Sequence, residues 1–109
     1  MATGYEIKNN GIGKYTVTKS NGQSTFTFRD RNDVSEVNTI YCTEIPDYCF
    51  SSSSIQQFIA DNYLSKIGTY AFSSCKNLNS LIIPKGYYYC RLAVLDDNAN
   101  FQIIVFLAR

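Results

Sequence analysis

The chain has 109 residues, of which 45% are hydrophobic and 17% are charged, and its formal net charge is +1. These values predict one globular domain with a packed core and exclude a disordered chain. The balanced charge argues against a dedicated nucleic-acid surface, and no apolar run approaches the roughly 20 residues of a membrane span.

The N-terminal segment, residues 1–28, is predicted to form a cap. Residues 15–18 and 25–28 alternate in polarity on either side of the dipeptide Asn21–Gly22. An Asn-Gly pair between two alternating segments is a hairpin signal. We therefore expect a β-hairpin between these two segments, with Asn21–Gly22 in its turn.

The central segment, residues 29–88, is predicted to be built from repeats. Phe28, Phe50 and Phe72 stand 22 residues apart, and a fixed period of this length is typical of a solenoid. Between them, apolar residues recur at positions i, i+3 and i+5, and the last step is the alternation of a strand. Five such strands, each at the same place on successive coils, are expected to pair in parallel.

The strand anchors define two inward rows of the predicted core. The first row is Ile12, Val34, Ile55, Leu78 and Phe101. The second row is Tyr15, Val37, Phe58, Leu81 and Ile104. Most of these residues are β-branched or aromatic, which suits a pleated strand surface.

The C-terminal segment, residues 89–109, has two interpretations. Residues 89–95 and 101–107 flank a polar stretch that contains Asp96 and Asp97, so the segment is either a plain hairpin or the loop and strand of a last coil. The repeat spacing favours the last coil.

One stretch, IGTYAFSSCKNLNSLIIP at residues 67–84, resembles the leucine-rich repeats of the BspA-like family, whose pattern is roughly IGxxAFxxCxxLxxIxIP. The matching residues are Ile67, Gly68, Ala71, Phe72, Cys75, Leu78, Leu81, Ile83 and Pro84. The preceding repeat, residues 45–60, departs from the pattern, with Pro46 at the glycine position and Cys49 at the alanine position. The resemblance covers about residues 26–106.

This resemblance implies a mostly β fold. The expectation is a short right-handed leucine-rich-repeat-like solenoid of about four to five coils, with parallel short strands and hairpin-like terminal caps. Residues 1–109 would form a single domain, with 29–88 as central repeats and 89–109 as a C-terminal coil or cap.

The four cysteines are expected to be buried free thiols. Cys42, Cys49, Cys75 and Cys90 all fall on core positions of the repeat, where a free cysteine behaves as a small hydrophobe. With no histidine and no C-x-x-C pair in the sequence, a zinc site is not expected. Free thiols also fit a reducing compartment.

Catalysis finds little support in the residues. Histidine, the commonest general base, does not occur in the chain, and the serines of residues 51–54 have no plausible activating partner. The chain is therefore predicted to be no enzyme, with no catalytic residues, cofactor or metal. The tyrosines spaced by 22, Tyr41 with Tyr63 and Tyr48 with Tyr70, are interpreted as half-buried stacks rather than a binding strip.

The candidate binding residues lie on the outward face of the late strands. The outward position before the last anchor of each strand reads Thr16, Asn38, Ile59, Ile82 and Val105. The row becomes apolar in the late coils, and apolar patches on soluble proteins mark interfaces. The candidate interface residues are Ile59, Ile82 and Val105 of this row, Ile103 beside it, and Tyr88 and Tyr89 from the run of three tyrosines at residues 87–89, of which at least one is expected to point outward.

The predicted function is that of a protein-binding module. Its partner is expected to be a protein, with a homodimer through the final strand as one form, and without nucleic acid or membrane. The alternatives are a self-assembling structural protein or a fragment of a surface adhesin, and a small virus-encoded intracellular inhibitor of a host protein. As written, the N-terminus lacks signal-peptide features, so a cytoplasmic location is expected, or a cell-surface one for an adhesin fragment.

Overall fold

The computed structural model of the protein describes residues 4–84 and the backbone of residues 103–107. The regular elements of these ranges are β-strands, in agreement with the predicted mostly β fold. In chain order they are β1 (Gly4–Gly11), β2 (Lys14–Ser20), β3 (Glu36–Ile40), β4 (Glu44–Ile45), β5 (Gln57–Ala60), β6 (Lys66–Ile67), β7 (Ser80–Pro84) and β8 (Ile103–Leu107).

The main sheet has six strands in the order β1-β2-β3-β5-β7-β8, and β4 pairs with β6 in a second, two-stranded sheet. From β2 to β8 all neighbouring strands of the main sheet are parallel. This is the arrangement of a β-solenoid, in which every coil contributes one strand at the same place. The prediction of parallel, stacked short strands is confirmed.

The strand register follows the second inward row predicted from the sequence. The successive pairs are Tyr15 with Val37, Val37 with Phe58, Phe58 with Leu81, and Leu81 with Ile104. Val37, Phe58 and Leu81 are buried, while Tyr15 is half-buried at the open end. The parallel pairing of β8 with β7 agrees with the last-coil interpretation, and the proposed hairpin arm at residues 89–95 lies outside the described residues.

The number of coils was slightly overestimated. Complete turns run from β2 to β3, from β3 to β5 and from β5 to β7, so the described residues hold three turns rather than four to five. The residues between β7 and β8 lie outside the description. At the other end, the chain before β2 adds no further coil within the described residues, because β1 runs antiparallel to β2 as a hairpin.

The N-terminal cap is a hairpin, but not the predicted one. The antiparallel pair consists of β1 and β2, with the turn at Ile12 and Gly13, and Gly13 takes the positive φ of 73° that such a turn needs. The assignment of Ile12 to the first inward row is therefore wrong, because its side chain is 100% exposed. Ile12 matches Val34 in repeat position, but the described residues before it form β1 of the hairpin, so Ile12 lies in a turn instead of on a strand facing the core.

The core of the described residues is a single cluster that runs through all coils. Val34, Ile55 and Leu78 of the first inward row are fully or almost fully buried, which confirms the row for the central coils, and Phe101 lies outside the description. Beside them, Phe50 stacks between Phe28 and Phe72, with ring centroids 5.4 and 5.0 Å apart and planes tilted by 8° and 7°. The 22-residue period of phenylalanines is thus a continuous column of parallel rings.

The open end of this column is covered by an arginine. The Arg31 guanidinium lies 5.0 Å from the ring centroids of both Phe28 and Tyr15, a cation–π arrangement. Asp33 holds the guanidinium through two hydrogen bonds of 2.7 and 2.8 Å. The hydrogen bond from Arg31 lowers the pKa of Asp33 to about 2, so the carboxylate stays ionised above that pH.

Backbone contacts between coils explain two local features of the repeat. Asp30, Ser52 and Ser74 stand 22 residues apart and take positive φ values of 62°, 58° and 56°, a conformation that small polar residues accept more readily than bulky ones. Gly68 lies against the preceding coil, where a Cβ would sit 2.5 Å from the backbone nitrogen of Asp47. Close approach of successive coils is therefore what requires glycine at this motif position.

The cysteines of the described residues match the prediction. Cys42, Cys49 and Cys75 are free and buried, and Cys90 lies outside the description. Burial raises the pKa of Cys42 and of Cys75 to about 11 and also raises the pKa of Cys49. Near pH 7 these thiols are protonated and shielded, so they are poor nucleophiles.

Thr39 carries a buried hydroxyl that finds no hydrogen-bond partner within the described part of the chain. A buried polar atom without a partner costs about 1–3 kcal/mol. Replacing Thr39 by valine, which has nearly the same shape, is expected to raise the free energy of unfolding by about 1 kcal/mol. Urea unfolding monitored by circular dichroism measures this free energy. The control is Thr18→Val, at a half-buried threonine on the neighbouring strand β2. An unchanged or lower stability of Thr39→Val would contradict the assignment.

Candidate functional site: the outward face of the main sheet

The outward row predicted from the sequence exists in the structure as a line of paired residues. Thr16 pairs with Asn38, Asn38 with Ile59, Ile59 with Ile82, and Ile82 with Val105. The first four side chains are half-buried. The parallel register keeps this repeat position on one face of the sheet. Along the row, the side chains change from polar in β2 and β3 to apolar in β5 and β7.

Of the other candidate residues, the structure describes only the backbone of Ile103. Ile103 pairs with Ser80, two positions along β8 from Val105, so the backbone register puts both on the same parity. Tyr88 and Tyr89 lie outside the described residues. The structure therefore brings Ile59 and Ile82 together directly and extends their row to Val105 by register.

A shallow depression lies beside this row. It has a volume of about 280 Å³ and is open to solvent. Its lining residues come from β2, β3, β5 and the chain just after β5: Thr16, Asn38, Thr39, Ile40, Ile59, Ala60 and Asp61. The depression thus connects the apolar row to the carboxyl ends of the strands.

A pair of exposed tyrosines stands at those strand ends. Tyr41 and Tyr63 are 54% and 57% exposed, and their rings meet edge to face with centroids 5.0 Å apart. The carboxylate of Asp61 accepts the backbone N–H of Tyr41 at 2.9 Å and that of Tyr63 at 3.2 Å. Asp61 therefore fixes the backbone of both tyrosines while it lines the depression.

Sequence reasoning found this tyrosine pair but not its role on the surface. The predicted ring contact between successive coils is present, but the prediction that this pair is half-buried is wrong, because both rings are more than half exposed at the ends of their strands. Ile40, 39% exposed, was not predicted as a surface residue. A usable signal was present: Ile40 follows the inward Thr39 by one residue and so has outward parity. Ile40, Ile59, Ile82, Tyr41 and Tyr63 together form what we call the apolar face.

The second tyrosine ladder serves the packing of the coils. Tyr48 stacks on Tyr70 with centroids 5.5 Å apart and planes tilted by 30°. The Arg29 guanidinium lies 4.9 Å from the Tyr48 ring centroid. One side of this ladder is thus covered by Arg29, as a cation–π contact, and Tyr70 is half-buried.

Metal-binding groups and membrane-spanning helices are both absent from the described residues. Within residues 4–84, the cysteine and carboxylate side chains form no group of three or more that could hold a metal ion. The same part of the chain contains no helix long and apolar enough to cross a membrane.

A protein-family model matches this chain. The family model described as the BspA type Leucine rich repeat region (6 copies) matches residues 43–108, which include the apolar face except for Ile40 and Tyr41. Searches of curated proteins and of solved structures returned no match. The matched range covers more than half of the chain and includes strands β4 to β8, so the chain belongs to the BspA-type leucine-rich-repeat family.

Proposed function

We propose that this chain is a protein-binding module and that it contacts its partner through the apolar face. The observation that carries the proposal is the direct pairing of Ile59 with Ile82 on the solvent side of a parallel sheet. Apolar residues that stabilised only the fold would point inward, as Leu81 and Ile83 of the same strand do. Burial of the outward row against a partner would remove apolar surface from water, which favours association.

The tyrosine pair supports the same conclusion. Tyrosines are enriched in protein interfaces because the ring buries much area and the hydroxyl stays satisfied at the rim. Tyr41 and Tyr63 are the most exposed aromatic side chains of the described residues, and Asp61 orders their backbone before any partner arrives. A surface ordered in advance loses less entropy on binding.

The proposed role is non-enzymatic, and repeats that stack into a solenoid supply extended surfaces suited to binding. The same face would serve the narrower roles expected from the sequence, a fragment of a surface adhesin or a virus-encoded inhibitor of a host protein, since each acts by binding a protein. We take residues 1–109 as one repeat domain in this proposal, with its cap at the N-terminal end.

The proposal is tested by placing a charge on the apolar face. Ile82→Lys is expected to abolish partner capture, because an ammonium group would have to be desolvated in the contact. Asn77→Lys is the control, since it adds the same charge at an exposed turn residue outside the apolar face and the depression. Each purified chain is used as bait in an extract of the source cells, and retained proteins are quantified by mass spectrometry.

The expected result is a set of proteins retained by the unmodified chain and by Asn77→Lys but lost with Ile82→Lys. Thermal unfolding of the three chains checks that all are folded. Equal retention by Ile82→Lys would contradict the assignment of the apolar face.

A second function, self-association, is favoured by the position of β8. Among the described strands, β8 is the last of the main sheet and pairs only with β7. A strand with one free edge is a template for pairing, and two copies related by a two-fold axis would join their β8 strands antiparallel. We expect light scattering to show a dimer that becomes a monomer in Val105→Lys. A monomeric unmodified chain at high concentration would remove this function and leave partner binding in place.

A further inference from the structure

The sequence contains two Asn-Gly dipeptides, Asn10–Gly11 and Asn21–Gly22, and all four residues are exposed. An asparagine followed by glycine is prone to spontaneous deamidation, since glycine has no side chain to hinder attack by its own backbone nitrogen. We propose that Asn21 is a selective deamidation site of the folded protein and that its conversion to isoaspartate releases the N-terminal cap. This inference is independent of the proposed binding function.

The reaction needs only water and balances without any oxidant. The backbone nitrogen of Gly22 gives up its proton and attacks Cγ of Asn21, so an N–Cγ bond forms. The Cγ–Nδ2 bond breaks and ammonia leaves, which produces a five-membered succinimide. Water then opens one of the two carbonyl–nitrogen bonds and yields aspartate or isoaspartate. Isoaspartate carries one additional methylene in the main chain.

The two dipeptides differ in how the asparagine is held. Asn10 lies in strand β1, and its Nδ2 donates a hydrogen bond to Oγ1 of Thr16 on the paired strand. Asn21 lies after the end of β2, and its side chain makes no hydrogen bond within the described residues. Attack requires rotation of the asparagine side chain toward the next nitrogen, so the tethered Asn10 is protected and Asn21 is free to react.

The glycine amides do not distinguish the two sites. The N–H of Gly11 donates to Oδ1 of Asn9 at 2.9 Å, and the N–H of Gly22 donates to Oγ of Ser20 at 3.0 Å. Both attacking nitrogens are therefore held by a neighbouring side chain in a similar way. The expected selectivity comes from the tether on Asn10 and from the strand that contains it.

The fold itself requires glycine after Asn21. A Cβ placed on Gly22 would collide with the carbonyl oxygen of Tyr5, so a bulkier residue that would slow the reaction does not fit. The close approach that closes the cap is thus the same feature that leaves Asn21 labile.

The modified bond would lie next to the contact that closes the cap. Tyr5 and Gln23 exchange two backbone hydrogen bonds, of 2.7 and 2.9 Å, along the outer edge of β1. Tyr5 is buried and meets Phe26 edge to face with centroids 4.8 Å apart. A methylene inserted between residues 21 and 22 shifts Gln23 relative to Tyr5, so both hydrogen bonds are lost and the edge of β1 opens.

The site is tested by ageing the full chain at mildly alkaline pH, with and without urea, and mapping isoaspartate by peptide mass spectrometry. In urea both asparagines should react at similar rates. In the native chain, we expect several-fold more product at Asn21 than at Asn10. The variants Asn21→Gln and Asn10→Gln confirm the assignment, because glutamine forms the corresponding ring far more slowly.

Release of the cap has its own measurement. Hydrogen exchange at the amides of Tyr5 and Gln23 should become several-fold faster in the aged native chain, and should stay slow in aged Asn21→Gln. Equal product at both asparagines in the native chain would overturn the selectivity. Unchanged exchange at Tyr5 and Gln23 in chains that carry isoaspartate at position 21 would overturn the proposed release of the N-terminal cap.

Discussion

Replacing Phe50 by alanine is expected to lower the free energy of unfolding by about 3–5 kcal/mol. Phe50 is fully buried and lies between Phe28 and Phe72 in the ring column. Its ring centroid also lies 5.4 Å from that of Phe58. Truncation removes the transfer free energy of the ring and leaves a cavity that neighbouring coils cannot fill, since their spacing is set by backbone hydrogen bonds. The loss is a large share of the stability of a small domain.

The cavity lies at the centre of the solenoid, where its effect reaches both neighbours. In a stacked repeat, each coil is stabilised mainly by contact with the next one. Phe50 contributes to two such contacts, so the column is interrupted on both sides at once. Phe50→Leu keeps most of the volume but loses the ring stacking, and we expect a smaller loss than for Phe50→Ala.

Urea unfolding monitored by circular dichroism measures the effect on Phe50→Ala. The control is Ile12→Ala, which removes apolar volume from a fully exposed side chain in the hairpin turn. Exposed substitutions of this kind change stability by no more than about 0.5 kcal/mol. A loss for Phe50→Ala as small as that of Ile12→Ala would mean that the ring column is not the core of the fold.

The second large effect is expected for Leu81→Ala, at about 2–5 kcal/mol. Leu81 is 2% exposed and pairs with Phe58 on one side and Ile104 on the other. It belongs to the inward row that crosses the whole sheet, and its removal leaves a void between β5 and β8. The expected loss comes from the vacated volume, because the parallel backbone ladder stays unchanged.

Ile82→Ala is a closely matched control for Leu81→Ala. Ile82 is the next residue in the same strand, but it lies on the outward face and is half-buried. Since part of its surface is already in water, its truncation should cost clearly less than that of Leu81. Equal losses for the two variants, measured by urea unfolding, would show that the assignment of inward and outward faces is wrong.

The repeat spacing was sufficient to predict much of the fold. The strand register from Tyr15 to Ile104 follows from the recurrence of apolar residues at steps close to 22. Such a pattern is local and periodic, so each coil carries the same information about which residues point inward. The buried thiols of Cys42, Cys49 and Cys75 follow for the same reason, since each occupies an apolar position of the repeat.

The first coil was predicted wrongly because its environment differs from that of the other coils. Ile12 has the same repeat position as Val34, yet it is exposed in a turn between β1 and β2. Asn21–Gly22 suggested a hairpin with the segment after β2, but the antiparallel partner of β2 is β1, the strand before it. Sequence periodicity assigns a residue to a position, whereas burial depends on whether another coil covers that position.

Some features of the candidate site could likewise be predicted from the sequence, and others required the structure. The outward parity of Ile59 and Ile82 could be read from strand alternation alone, and the structure pairs them as expected. The exposure of Tyr41 and Tyr63, and the carboxylate of Asp61 that joins their backbones, depend on the turn after each strand. The bond from Asp61 to Tyr41 and the contact between the two rings join residues 20 and 22 positions apart in successive coils, and a local pattern does not contain such contacts.

The amino-acid sequence by itself therefore determined the repeat, the parallel strands and the inward rows of the central coils, because stacked parallel strands bury a periodic pattern of apolar side chains on one face. Only the tertiary structure decided where the stack begins, which tyrosines stay in water and how Arg31 covers the end of the ring column. These features depend on the ends and edges of the solenoid. There the period stops and each residue is placed by the neighbours it actually meets.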